Sequence, residues 1–248
     1  MTTLVVIFLA SLIATFISVI SGGGTSTISL PVFLWLGIPL PLAIAINKVN
    51  AIFFTPISAY NYLKGLKINW GFLLLFAVIG LFGVYLGVKF VIGMDQVILK
   101  RIIGIIIVTF VIFTYFKKDF GLKKNPGESK IIKALSYPAA LTMGFYEGII
   151  GSGNGIAFTA ITYYTRGFDF ISALGYYFAI SFFWVTFASI LYISNGYFDF
   201  GMMLSSILGA VIGGYLGSKY AKYKGNKFIR IAFMVVGGIL GLKLALNI

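Results

Sequence analysis

Two charged residues stand where charge is costly. Glu147 is the only one of six acidic residues that falls inside an apolar segment; Asp95, Asp119, Glu128, Asp169 and Asp199 lie in or beside loops. Lys48 lies about eight residues, or roughly 12 Å, into a helix predicted over 40–63. An ammonium at that depth is too far from a surface for easy snorkelling, so it needs an anion, a carboxylate or water beside it. Lys48 is therefore either the counter-charge of a bound anion or half of a structural ion pair. Glu147, desolvated beside a glycine-rich break, is either a proton carrier or the fixed partner of Lys48.

Polar residues that could orient an anion surround these two. Asn47, Asn50, Phe54, Ser58 and Asn61 form one helical stripe, with Lys48, Thr55 and Tyr62 on an adjoining one, and Pro56 is expected to kink the helix. Two glycine-rich breaks, "SGGGTSTIS" (21–29) and "GSGNG" (151–155), interrupt apolar runs. A break in lipid must satisfy its freed backbone groups through protein or water, so it should line a cavity. The segment after each break begins with unpaired N–H groups at a positive dipole end. With Gly22, Gly23, Gly24, Thr25, Ser26, Thr27, Ser152, Gly153 and Asn154 there, the arrangement suits an anion cradle. Close packing of small residues is the alternative. Tyr176 and Tyr177 align with Ile46 and Asn47 and could form the opposite wall.

The elements that must position these residues are membrane helices. The chain has 248 residues, 60% of them hydrophobic and only 10% charged, with a mean hydropathy of +1.02. Apolar segments run near 4–20, 25–37, 40–63, 70–92, 97–116, 131–150, 154–165, 170–193, 200–218 and 228–247. Those at 25–37 and 154–165 reach only about 20 Å as helix, short of a hydrocarbon core of about 30 Å. The N-terminal "MTTLVVIFLA" has no basic leader and no A-x-A-like site after it, which reads as a retained span. The absence of Cys and His excludes disulfides, thiol chemistry and the usual soft-metal sites. Without paired carboxylates as well, general acid–base catalysis lacks its agents, so neither an enzyme nor a cofactor is expected. The net charge of +13 sits between apolar segments. That pattern suits topology signals and anionic membrane lipid, and argues against nucleic acid as a partner.

Sliding the chain by 130 residues aligns two halves without a gap. "GFLLLFAVIGLFGVYLGVK" (71–89) falls on "GMMLSSILGAVIGGYLGSK" (201–219), and Gly23 meets Gly153. The expected fold is an all-α integral membrane protein of two inverted repeats, each a Gly-broken helical hairpin plus three transmembrane helices. The halves are 1–116 and 134–248, joined by a basic cytoplasmic linker, 117–133. With the linker inside and each hairpin leaving on its entry side, 14 basic residues fall inside against four outside (Lys89, Lys100, Arg101, Lys243). Parallel repeats would give nine against nine. The positive-inside rule favours the inverted arrangement.

The stretches "SGGGTSTISLPVFLWLGIPLPLAIAINKVNAIF" and "GFYEGIIGSGNGIAFTAITYYTRG", with the late "GYLGSK", resemble the TauE/SafE family of membrane proteins, also called TSUP, across essentially the whole chain. Ala-x-Asn-Lys at 45–48 and Gly-Phe-Tyr-acid-Gly at 144–148 look closest to its widespread, uncharacterised branch. The resemblance implies transport, usually outward, of small sulfur-containing anions such as sulfite or organosulfonates. The combined expectation is a secondary transporter of a small anionic substrate. The two breaks cradle the anion, Lys48 neutralises it, Asn47 and Asn50 orient it, and Glu147 is the candidate for proton coupling. A gated anion channel has the same static features and is the alternative.

Orientation is testable directly because the native chain has no thiols. In intact cells an impermeant maleimide should label a cysteine placed in 93–97 but not Lys124→Cys. Labelling of Lys124→Cys from outside refutes the arrangement.

Overall fold

The computed structural model describes residues 2–91, 133–134 and 136–246, together with positions 105, 108, 109, 112, 115 and 122. Eight helices are seen among these residues: α1 (Thr2–Ser21), α2 (Ser26–Trp35), α3 (Leu40–Leu63), α4 (Trp70–Val91), α5 (Ser136–Ile149), α6 (Asn154–Arg166), α7 (Phe170–Ser194) and α8 (Phe200–Leu246). The expected span 97–116 and linker 117–133 lie almost wholly outside the described residues. Five helices are long and apolar enough to cross a bilayer: α1, α3, α4, α7 and the Phe200–Ala232 part of α8. At ten and thirteen residues, α2 and α6 extend about 15 and 20 Å, too short to cross. This is a multi-pass membrane protein.

Local chemistry repeats between the halves. Asn69 and Asp199, 130 residues apart, cap the starts of α4 and α8: Phe72 N donates to Asn69 Oδ1 at 3.0 Å and Met202 N to Asp199 Oδ1 at 2.8 Å. Tyr62 and Tyr192, also 130 apart, donate to the carbonyls of Val19 (2.7 Å) and Gly148 (3.0 Å), at the ends of α1 and α5. The gapless alignment needs one correction. In the breaks the left-handed residues are Gly22 and Gly24 in one half and Gly151 and Gly153 in the other. Gly24, not Gly23, therefore corresponds to Gly153, and the register there is 129. A backbone with positive φ accepts glycine readily and other residues poorly, so conformation fixes this pairing more firmly than residue identity does.

The halves interleave. α1 packs along α8 and α5 along α4, while α3 and α7 meet at the centre. Gly83 and Gly213 allow the two outer pairs to approach closely. A Cβ on Gly83 would lie 2.1 Å from Leu141 O, and one on Gly213 would lie 2.3 Å from Leu12 O. Along the central pair, Gly175 faces Tyr62 and Leu63, whereas Ser181 and Val185 share a cavity with Asn47, Lys48 and Ala51. α3 and α7 therefore run antiparallel. Pro56 lies inside α3, which continues through it to Leu63.

The lysine-rich stretch 219–230, expected as a loop, holds a sharp break. Two helical stretches meet there at Gly225 (φ 79°, ψ −178°), and helix continues through the lysines on either side of it. Lys and Tyr are compatible with helix, so the boundary shortens to a kink at one glycine.

Close approach at the glycines predicts selective sensitivity. Gly83→Leu and Gly213→Leu should each lower stability by about 3 kcal/mol through overpacking. Gly71→Ala, whose Cβ meets only Asn69 Oδ1 at 3.5 Å, should be nearly silent. Thermal melts in detergent decide this, and a Gly83→Leu protein that melts like wild type refutes the close approach.

Candidate functional site

The two breaks meet. Gly153 N donates to Gly23 O at 2.9 Å, and a Cβ on Gly24 would lie 2.7 Å from Ser152 Cα. Each break ends one helix and starts a short one, so the C-terminal carbonyls of α1 and α5 and the N-termini of α2 and α6 gather in one buried place. Those end groups have no intrahelical partner and no bulk water. Side chains supply the partners. Thr27 Oγ1 donates toward Gly23 O (2.8 Å) and Gly24 O (3.1 Å), and Ser26 Oγ donates to Ile150 O at 3.2 Å. Tyr146 OH donates to Ser152 O.

Lys48 is the centre of this arrangement. Its Nζ lies 2.9 Å from Glu147 Oε1 and also donates to the carbonyls of Glu147 and, at 3.4 Å, Ile150. The ammonium therefore caps the end of α5 as well as pairing with its carboxylate, a favourable place for a cation. The other carboxylate oxygen, Oε2, accepts from Asn154 Nδ2 at 2.8 Å and Tyr177 OH at 3.3 Å. Lys48 and Glu147 are 2% and 4% exposed, so the pair is fully desolvated and carries no net charge.

A small cavity of about 30 Å³ adjoins the pair, enough for roughly two waters. Gly24, Thr25, Ser26, Asn47, Lys48, Glu147 and Tyr177, all expected in the site, line it. Gly22, Gly23, Ser152, Gly153 and Asn154 build the crossing behind that lining. Asn50 points elsewhere: its Nδ2 donates to Ser206 Oγ at 2.6 Å, and Ser206 is also 2.7 Å from Ser11 Oγ. The rest of its stripe follows the same direction, with Ser58 and Asn61 reaching Gly214 O (3.5 Å) and Ser218 Oγ (2.9 Å) on α8. The stripe is real, but beyond Asn47 it is a packing seam. Tyr176 is also remote, its hydroxyl accepting from Asn69 N at 2.5 Å.

Sequence reasoning missed Ser18 and Ser181 in the lining. Ser181 lies one turn beyond Tyr177 on α7, which is the signal that would have found it. Ser29, inside the first break's quoted stretch, was also passed over; its Oγ lies 2.7 Å from Asn47 Oδ1 and 2.9 Å from Thr25 O. A single hydroxyl proton serves only one of these at a time. If the Asn47 amide is flipped, its Nδ2 donates to Ser29 and both contacts are satisfied. In either orientation one polar atom of the Asn47 amide has no protein partner. Ser152 Oγ and Asn154 Oδ1 are also buried without one.

A family model described as sulfite exporter TauE/SafE matches residues 7–244. The chain belongs to this family. Among curated TauE/SafE-like relatives, "Probable membrane transporter protein ORF9" of Sinorhizobium sp is 27% identical over 248 residues, covering 96% of this chain and 90% of the relative. A "Probable membrane transporter protein" of Haemophilus influenzae is 22% identical, covering 97% and 94% respectively. No solved structure gives a significant match. Membership in TauE/SafE, with these relatives, makes the protein a membrane transporter, and the Gly-broken crossing with its ion pair is its most distinctive polar feature.

Loss of either charged partner leaves the other buried and unopposed. Lys48→Met and Glu147→Leu should each cost roughly 3–5 kcal/mol, while the double variant Lys48→Met/Glu147→Leu should recover at least half of the summed loss. A double-mutant cycle of melting temperatures measures the coupling. Additive losses show that the pair is not coupled in solution.

Proposed function

We propose that the protein is a secondary transporter, working as an exporter, for a small sulfur-containing anion such as sulfite or a short organosulfonate, with Glu147 as its proton-exchanging group. The observation that carries this reading is the neutral Lys48–Glu147 pair beside a small cavity lined by the start of α2 and the end of α5. The family's description supplies the substrate class. The antiparallel run of α3 and α7, which are corresponding helices, supports inverted repeats with the site between them.

Charge balance gives the mechanism. With Glu147 ionised, Lys48 is already neutralised, and an entering anion would bring an uncompensated charge into a dry site. Protonation of Glu147 releases Lys48, and the anion takes the place of the carboxylate beside Nζ. One proton and one anion then occupy the site as a neutral set, with the N-terminus of α2 facing the oxyanion and Asn47 Nδ2, unpartnered when Ser29 donates to Oδ1, free to donate to it. Net direction follows the sum of the two gradients, so export runs where the outward anion gradient exceeds the proton gradient. At about 30 Å³ the cavity is far too small for a continuous anion pore, which supports a site that opens by turns.

Glu147→Gln mimics the protonated acid but cannot release a proton. In thermal shifts, sulfite should stabilise Glu147→Gln more than wild type, because Lys48 is already unopposed. In proteoliposomes the variant should retain sulfite exchange and lose its response to a pH gradient. Persisting proton coupling in Glu147→Gln removes Glu147 from the mechanism. Sulfite-dependent current far above carrier rates favours the channel.

A further inference from the structure

Away from the crossing, two open cavities adjoin at the turn between α3 and α4. One, of about 550 Å³, is an apolar groove between the end of α3 and the middle of α7, including Pro56, Ala59, Leu63, Ala179 and Phe183. From Lys64 at its mouth to Pro56 it runs eight residues along α3, about 12 Å. Tyr60 and Trp70, 64% and 61% exposed, flank it, as amphipathic aromatics do at a membrane interface. The second cavity, of about 520 Å³, is lined by Lys67, Arg166, Ser172 and Tyr176. Gly65 and Leu66 line both, so the two cavities adjoin at this turn.

The cations here have no carboxylate partner among the described residues. Among the described residues the only ion pair is Lys48–Glu147. Asp169, the nearby acid, gives its oxygens to Ser172 N (2.8 Å) and Asn226 Nδ2 (3.3 Å). Arg166 is held in place by Ser136 Oγ at 3.0 Å, by the Lys133 carbonyl at 2.9 Å and by the Phe72 ring, 4.2 Å from its guanidinium. Lys222 adds charge beside the turn, its Nζ donating to the Lys64 carbonyl at 2.6 Å.

We propose that these cavities form a single site for an anionic phospholipid, with an acyl chain in the groove and the headgroup phosphate on Lys67 and Arg166. A neutral lipid would leave the cations unopposed, and a free inorganic anion would leave the groove unfilled. Basic pockets between membrane helices suit anionic headgroups for this reason. The site is independent of the Lys48–Glu147 crossing and of what is transported there.

The test uses delipidated full-length protein in detergent, with melting temperature read against added dioleoyl phosphatidylglycerol, dioleoyl phosphatidylcholine or inorganic phosphate. Phosphatidylglycerol should raise the melting temperature by several degrees, and the other two by little. Lys64→Gln/Lys67→Gln, at exposed positions, should melt normally without lipid and lose at least half of the shift. Ala179→Phe, which fills the groove, should lose it too. Equal shifts from both lipids, or an undiminished shift in both variants, overturn the proposal. A shift reproduced by inorganic phosphate makes the pocket a free-anion site and overturns it as well.

Discussion

The structure depends on one constraint: backbone groups released inside a bilayer must find partners in the protein. Breaking two helices in the interior frees carbonyls and amides that water would otherwise serve. The fold answers by bringing both breaks together, so that Gly153 N satisfies Gly23 O and hydroxyls of Ser26, Thr27 and Tyr146 take up neighbouring carbonyls. Lys48 belongs to the same solution. It donates to two carbonyls at the end of α5 before any substrate is considered. The charge most useful for anion chemistry is thus also a structural cap, and moving it away from Glu147 need not detach it from the backbone.

This double duty explains why the site holds an ion pair that is costly to bury. Desolvation of Lys48 and Glu147 is offset because every principal donor and acceptor is used: three acceptors around Nζ, and Asn154 and Tyr177 on Oε2. Satisfaction is nevertheless incomplete nearby, at Asn47, Ser152 and Asn154. Buried polar atoms without partners cost stability and are rare. Three such residues meet at the crossing, while Thr15 and Asn50 carry others elsewhere among the described residues.

The sequence made much of this legible, unevenly. Lys48 and Glu147 stood out because a charge in an apolar run has few explanations, and the glycine breaks stood out because glycine weakens helices. Asn50 misled, because a polar stripe at helical spacing looks the same whether it faces a cavity or the serines of α8. The 129-residue register of the breaks was hidden because residue identity favours pairing Gly23 with Gly153, and only backbone φ reveals the shift. Ser18 was unreadable for a different reason: a serine in a membrane helix commonly bonds its own backbone, and only tertiary packing turns one toward a cavity.

The interleaving of the halves has a consequence for motion. α1, α2 and α3 of the first half associate with α8 of the second, while α5, α6 and α7 associate with α4 of the first. Among the described residues the packing therefore forms two mixed bundles, each including one helix of the other half, that face each other across α3 and α7. The chain passes between them at the turns 64–69 and 195–199. Neither half can move as a body of its own, because its outer helix is already part of its neighbour.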